Sequence, residues 1–295
     1  MVEAGTYNGK FFGVPYYAGA RVMLYRKDLL SASGLSVPTT IDEMLAAAKK
    51  LKADNASTAN FSGMYLPVKN WIAPLPFMWV NGGDIAVQNG GSWKGMLSSD
   101  KSVAGLTQFQ QFVNDTSGAP KDGDDSKDYL AFCNGEVGMM PAPGWKPGQI
   151  INKDDGCPAM EANIGAFALP GLTAGTTSPA FLGGSNLAVS AASKHTDLAT
   201  ELLKILVSKD YQKQFAANGT IPALKSLLGS VSGSEAAKAQ AKAAENSRFV
   251  PSSENWAAVE AANILPDMIV AIEGGADVKS EAAKADAAIE AILNG

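Results

Sequence analysis

The chain has 295 residues, 46% hydrophobic and 18% charged, with 24 basic against 29 acidic groups for a net charge of −5. This balance excludes a disordered chain and argues against a nucleic-acid partner, while the length favours two lobes over one core. The longest apolar runs, such as "NLAVSAA" and "MIVAI", fall far short of a membrane span.

The elements run as follows. "FFGVPYYAGARVMLYRKDLL", residues 11–30, carries five aromatics and Arg21, and its "RVMLYR" reads as a strand. "TTIDEMLAAAKKLKAD" is the clearest helix: Thr40 and Glu43 form a capping box, and Ile41, Met44, Leu45, Ala48 and Leu51 share a face. A second helix covers "DKSVAGLTQFQQFVND", with Val103, Leu106, Phe109 and Val113 on its stripe. "KDGDDSKD", residues 121–128, lacks the alternating ligands and closing Glu of a calcium loop and reads as a solvated loop capping the next helix. Strands are expected at "EVGMM", "NIGAFAL" and "NLAVS", and a third helix at "HTDLATELLKILVS", with Leu198, Leu202, Ile205 and Leu206 facing a core. From Asn255 the chain is helical with a break at Pro266; Gly274 and Gly275 end that stretch before a last helix, Lys279 to Leu293. Strands alternating with helices give an α/β chain.

A single histidine, His195, at a helix start, nearly excludes a Ser-His-Asp or Cys-His nucleophile and a His-rich metal site. No cofactor or metal is expected. Cys133 and Cys157 are too far apart for a CxxC redox pair; they bond to each other in an exported protein or stay separate thiols in a cytosolic one. Tryptophan is the informative residue type. Trp71, Trp145 and Trp256 each follow polar or Gly/Pro-rich residues at an element's start, whereas Trp79 and Trp93 read as packing residues near the "NGGD" turn. A pyranose presents a face of C–H bonds that lies flat on an indole, with hydroxyls around its edge, so indole plates with polar groups between them suit a carbohydrate.

The run "GKFFGVPYYAGARVMLYRKDLLSASGLSVPTTIDEMLAAAKKL" resembles the hinge-crossing segment of solute-binding proteins of carbohydrate ABC importers, the maltose-binding-protein-like family. "NGGD", "FCNGEVGMMPAPGW", "FLGGSNLAVSAASK" through "GTIPALKSL", and "NWAAVEAANILPDMIVAIEGG" follow in the same order. The resemblance implies a two-lobe, class II flytrap fold with residues 14–22 as the first hinge strand. It implies ligand contacts at Trp145 and Trp256, at Trp71 within one residue, and at Tyr16, Tyr17, Arg21, Gly184 and Ser185. Ordinary hinge packing is the alternative for Tyr16 and Tyr17, a structural ion pair for Arg21, and turn chemistry for Gly184 and Ser185.

Further implications are binding without chemistry, delivery of a sugar to permease subunits, and a monomer at the periplasm or cell surface. Export favours the Cys133–Cys157 disulfide. Family members have a substantial segment before the first hinge strand. On that pattern lobe 2 is complete (20–180 with 253–295) and lobe 1 partial (1–19 with 181–252), any lipid anchor lying on a preceding segment. No signal peptide is visible at Met1, so either a targeting segment has been removed or the chain begins inside a longer protein. The rival class is a glycoside hydrolase, for which Asp84, Glu136 and Glu254 are the nearest acids. A polyamine or anion is the rival ligand.

Overall fold

The aromatic opening folds as one long strand that both halves of the sheet share. In a computed structural model, residues 2, 5–7, 9–120 and 123–295 are described. Strands β1 (Thr6–Tyr7) and β2 (Lys10–Phe11) pair and lead into β3 (Val14–Arg26). Then come α1 (Lys27–Ala32), α2 (Ile41–Asp54), β4 (Ser62–Met64), α3 (Leu75–Val80), the hairpin β5 (Ala86–Asn89) and β6 (Ser92–Gly95), and α4 (Asp100–Thr116). Next are α5 (Asp128–Cys133), β7 (Val137–Pro143), α6 (Lys146–Ile150), β8 (Ile164–Phe167) and β9 (Ala180–Leu187). The chain continues through α7 (Thr196–Leu206), α8 (Lys209–Ala217), β10 (Ile221–Pro222), α9 (Glu235–Glu245), β11 (Ser247–Arg248), α10 (Trp256–Ala261), α11 (Ile264–Glu273) and α12 (Val278–Leu293).

The main sheet runs β11-β9-β3-β7-β4, with β10 and β8 also on β3. Along one edge, β3 gives Val14–Ala20 to β9 and Met23–Arg26 to β8; along the other, it gives Tyr17–Ala18 to β10 and Arg21–Tyr25 to β7. Alternation along β3 then sorts its side chains by face. Met23 and Tyr25 join a core with Ile41 and Met44 of α2, Phe77 of α3, Phe109 of α4 and Ile269 of α11, while Val22 and Leu24 join a second with Phe132, Met140, Ala239 and Ala243. Helices cover both faces, as an α/β chain requires.

Local chemistry explains the element ends. Thr40 Oγ1 accepts from the Glu43 N–H at 3.1 Å, but the Glu43 carboxylate accepts from Thr39 N–H and Oγ1, one residue earlier than a capping box. The carboxylate thereby sits below its usual pKa range, the Thr39 hydrogen bonds being the cause. The C-terminal break falls at Asn263, in the left-handed conformation with φ 52°, rather than at Pro266. Pro266 is the third residue of α11, where an N–H has no intrahelical acceptor to lose, so the ring is tolerated. Of "NLAVS", only Asn186 and Leu187 are strand, because β9 ends where its partner β3 begins, at Val14↔Leu187.

Helix α7 forms as expected, but its stripe does not face a core. Leu198, Leu202 and Ile205 are 71%, 55% and 59% exposed, and none of the helix is buried. Among the described residues α7 packs on α8 and leaves that face open. Leu202→Gln should therefore change the urea midpoint little, within about 0.5 kcal/mol. Gly63 is the opposite case: a Cβ there would collide with the Ala48 carbonyl oxygen, so α2 could not seat on β4. Gly63→Ala should cost about 2 kcal/mol or more in the same measurement.

Candidate functional site

The site grows around Arg21, where β3 passes from one set of partners to the other. Arg21 pairs with Pro143 on β7, and two residues beyond Pro143 the chain turns to present Trp145, whose indole is 65% exposed. Arg21 Nη2 bonds Asp125 Oδ2 at 2.8 Å. With Ile72, Ala73, Pro141 and Ala180, Arg21 also lines an apolar hollow. Beside that hollow the Trp71 ring lies 6.3 Å from Phe181 and 6.4 Å from Trp256, edge-on and tilted. These separations are within the range of favourable aromatic pairs.

The three tryptophans differ in exposure. Trp145 is open, Trp71 half-buried, and Trp256 only 7% exposed within the main core. Asn70 Nδ2, Arg21 Nη1 and Trp256 Nε1 are buried donors without a protein acceptor. Water or ligand oxygens suit such donors.

The remaining expected residues lie along the other half of β3. Tyr16 packs on Tyr211 and Phe215 of α8, and its hydroxyl lies 3.3 Å from that of Tyr211, the hydrogen bond that raises its pKa. Tyr17 is exposed and pairs with Ser185 in register, while Gly184 pairs with Ala18. Gly184 has φ +139°, a conformation that favours glycine. Tyr17 lies four residue steps along the strand from Arg21, about 13 Å.

Sequence reasoning missed Phe181 and the group beneath Trp145. Lys146 and Asp128 are each 2% exposed and paired at 2.6 Å, and Lys146 Nζ also donates to the Asp125 carbonyl at 3.0 Å. Burial pushes the Asp128 carboxyl above the usual range even though the Lys146 hydrogen bond and charge pull it down. The visible signal was only the acidic "GDDSKD" run, which reads as solvated; its first two neighbours, Lys121 and Asp122, lie outside the described residues. Asp124 instead caps Ser126 through its N–H and hydroxyl. Among the described residues no His/Cys/Asp/Glu group could hold a metal. Trp79 is buried and Trp93 packs beside the core, as expected.

Cys133 and Cys157 form a disulfide. It closes a loop containing β7, Trp145 and α6, so it fixes the segment that carries the exposed indole.

A long strand shared by two sets of partners, with open and half-buried indoles where they meet, defines a two-lobe α/β binding protein. The chain belongs to the bacterial extracellular solute-binding proteins, whose family model matches residues 2–213. It is 33% identical over 262 residues to the diacetylchitobiose binding protein DasA of Streptomyces coelicolor, covering 88% of this chain and 60% of that protein. It is 28% identical over 210 residues to an arabinooligosaccharide-binding protein of Bacillus subtilis, covering 66% of this chain and 44% of that one. The chain thus spans about 60% or less of the length of these relatives. In fold it matches the sugar-binding protein MalE of Xanthomonas citri, with TM-score 0.81 and 22% identity over 98% of this chain and 72% of that one. Family membership implies an extracytoplasmic setting. No helix among the described residues is long and apolar enough to cross a membrane.

Maleimide should fail to label either cysteine until reductant is added. Reduction should then lower the unfolding free energy by about 3 kcal/mol for a loop of this length.

Proposed function

We propose that this chain supplies the sugar-holding face of an extracytoplasmic binding protein that captures a short oligosaccharide and delivers it to the permease subunits of an ABC importer. Trp145 is the stacking plate; Trp71 and the buried Trp256 back the adjoining surface, and Arg21 offers a donor at its edge. The observation that carries this reading is the open Trp145 indole, two residues beyond the β7 residue paired with Arg21, while Arg21 lines a hollow with Ile72 and Ala180, the chain neighbours of Trp71 and Phe181. N,N′-diacetylchitobiose is the first ligand to test, because DasA is described as binding it.

In this reading residues 20–180 with 253–295 are one lobe, and 1–19 with 181–252 are part of the other. The open stripe on α7 supports an incomplete second lobe. Tyr17, Gly184 and Ser185 then lie on the partial lobe's side and reach the sugar only on closure, which ligand favours by binding the closed form better. In this reading the protein acts as a monomer.

The proposed role is binding without turnover. Asp84 is committed to Arg248 at 3.3 Å and to the Ile85 N–H, Glu136 lies at the opposite end of β7 from Trp145, and Glu254 is exposed. A polyamine is disfavoured because the nearest carboxylates, Asp125 and Asp128, already pair with Arg21 and Lys146. An anion fits poorly beside a surface built of indoles.

Titration calorimetry with diacetylchitobiose, cellobiose and maltose should find one ligand near micromolar, about −8 kcal/mol. Trp145→Ala should weaken it about 30-fold or more, as expected for loss of an aromatic anchor. Unchanged affinity in that variant refutes the stacking role, and release of chromophore from nitrophenyl glycosides above a blank refutes binding alone.

A further inference from the structure

Trp145 is open to solvent on a short turn, yet a stacking plate must hold one orientation before its ligand arrives. The turn itself offers little restraint: Trp145 is the cap residue of a five-residue helix and makes no side-chain capping bond. What lies against the ring is a charge. Lys146 folds inward, and its ammonium sits 4.9 Å from the Trp145 ring centroid. The same ammonium bonds Asp128 Oδ1 at 2.6 Å and the Asp125 carbonyl at 3.0 Å. Asp125 in turn holds Arg21 of β3 through its carboxylate. One cation therefore touches the indole, the α5 terminus and the loop that grips the central strand.

From this geometry we infer that Lys146 is a positioning residue for ligand binding: it fixes the Trp145 indole for stacking and ties it, through Asp125, to Arg21 on β3. The inference rests on the reading of Trp145 as the sugar plate. Desolvation makes the arrangement effective. A cation is attracted to the face of an indole more strongly when water is excluded, and Lys146 is 2% exposed. The ring keeps its other face for a sugar, consistent with its 65% exposure. A lysine serving only to neutralise Asp128 would use the Asp125 carbonyl as a second acceptor but would not need the ring contact.

The test separates positioning from stability. Lys146→Met alone strands the Asp128 carboxylate in the core and should destabilise the fold. The double change Lys146→Met/Asp128→Leu removes both charges and should recover most of the lost stability, since buried pairs are often replaceable by apolar residues of similar size. Lys146→Gln/Asp128→Asn keeps size and hydrogen bonding while deleting the charge, and stands in if the first pair does not fold. Each folded variant is labelled with 5-fluorotryptophan, giving one fluorine resonance for each of the five tryptophans, with Trp145 assigned from Trp145→Phe.

The expected result is recovered urea stability with a Trp145 resonance that moves and sharpens while the other four stay. Affinity for the saccharide bound by the unmodified protein should fall about tenfold. A stable double variant whose Trp145 resonance stays in place, or whose affinity is unchanged, overturns the inference. If the unmodified protein binds no saccharide, the carbohydrate reading falls by itself, and the fluorine spectrum still decides whether Lys146 orients the indole.

Discussion

A β-strand has two hydrogen-bonding edges, and β3 uses each of them twice. Its 13 residues are long enough for β9 and β8 to follow one another on one edge and β10 and β7 on the other. Any movement between the two sets of partners must bend or twist this strand or break its ladders. The changeover falls between Ala20, the last residue paired to β9, and Arg21, the first paired to β7. A residue at that step feels both halves, which explains why the candidate site collects around Arg21. The bulge between Pro15 and Tyr17 shows that the ladder is already irregular on the β9 side. Bulges bend a strand and increase its local twist, so β3 twists more on this side than a regular ladder would impose.

The candidate binding residues grade from buried to open. Trp256 is packed in the main core, Trp71 leans on it and on Phe181, and Trp145 is open on the turn that follows β7. Burying Trp256 withdraws it from direct stacking but gives the half-buried Trp71 a rigid backing. Rigidity has energetic weight here, because a ring already held in place loses little freedom when a ligand docks. The disulfide serves the same end from the chain side by closing the segment between Cys133 and Cys157 around Trp145.

How much of this was legible depended on whether the cause was local. The α2 helix could be read because its cap, its apolar spacing and its burial all follow from residues within one segment. The β-branched, Met and aromatic content of "RVMLYR" likewise predicted a strand, along which Val22 and Leu24 part from Met23 and Tyr25. The stripe on α7 was expected to face a core, but periodicity reports only that a face wants cover, and among the described residues nothing supplies it. Pro266 misled because a proline's cost depends on its position in the helix, which Asn263 set three residues earlier. The Trp71–Trp256 pairing is separated by more than half the chain, so no local pattern could announce it.

Lys146 was invisible for a more general reason. A lysine next to Trp and Pro in a Gly-rich turn reads as solvated, and lysines are almost never fully buried unless paired. Its partner lies 18 residues earlier, in an acidic loop that also reads as solvated. Two segments that each look exposed can bury one another only if opposite charges meet with hydrogen bonds to spare. Here Asp128 supplies the charge and the Asp125 carbonyl a second acceptor, so the cost of taking Lys146 out of water is offset locally. Such a pair is weak evidence for stability, since apolar side chains can fill the same space as well or better. Its presence beneath the most exposed indole of the chain is better explained by what only a cation offers an aromatic ring: attraction to one face at a fixed distance, leaving the other face free.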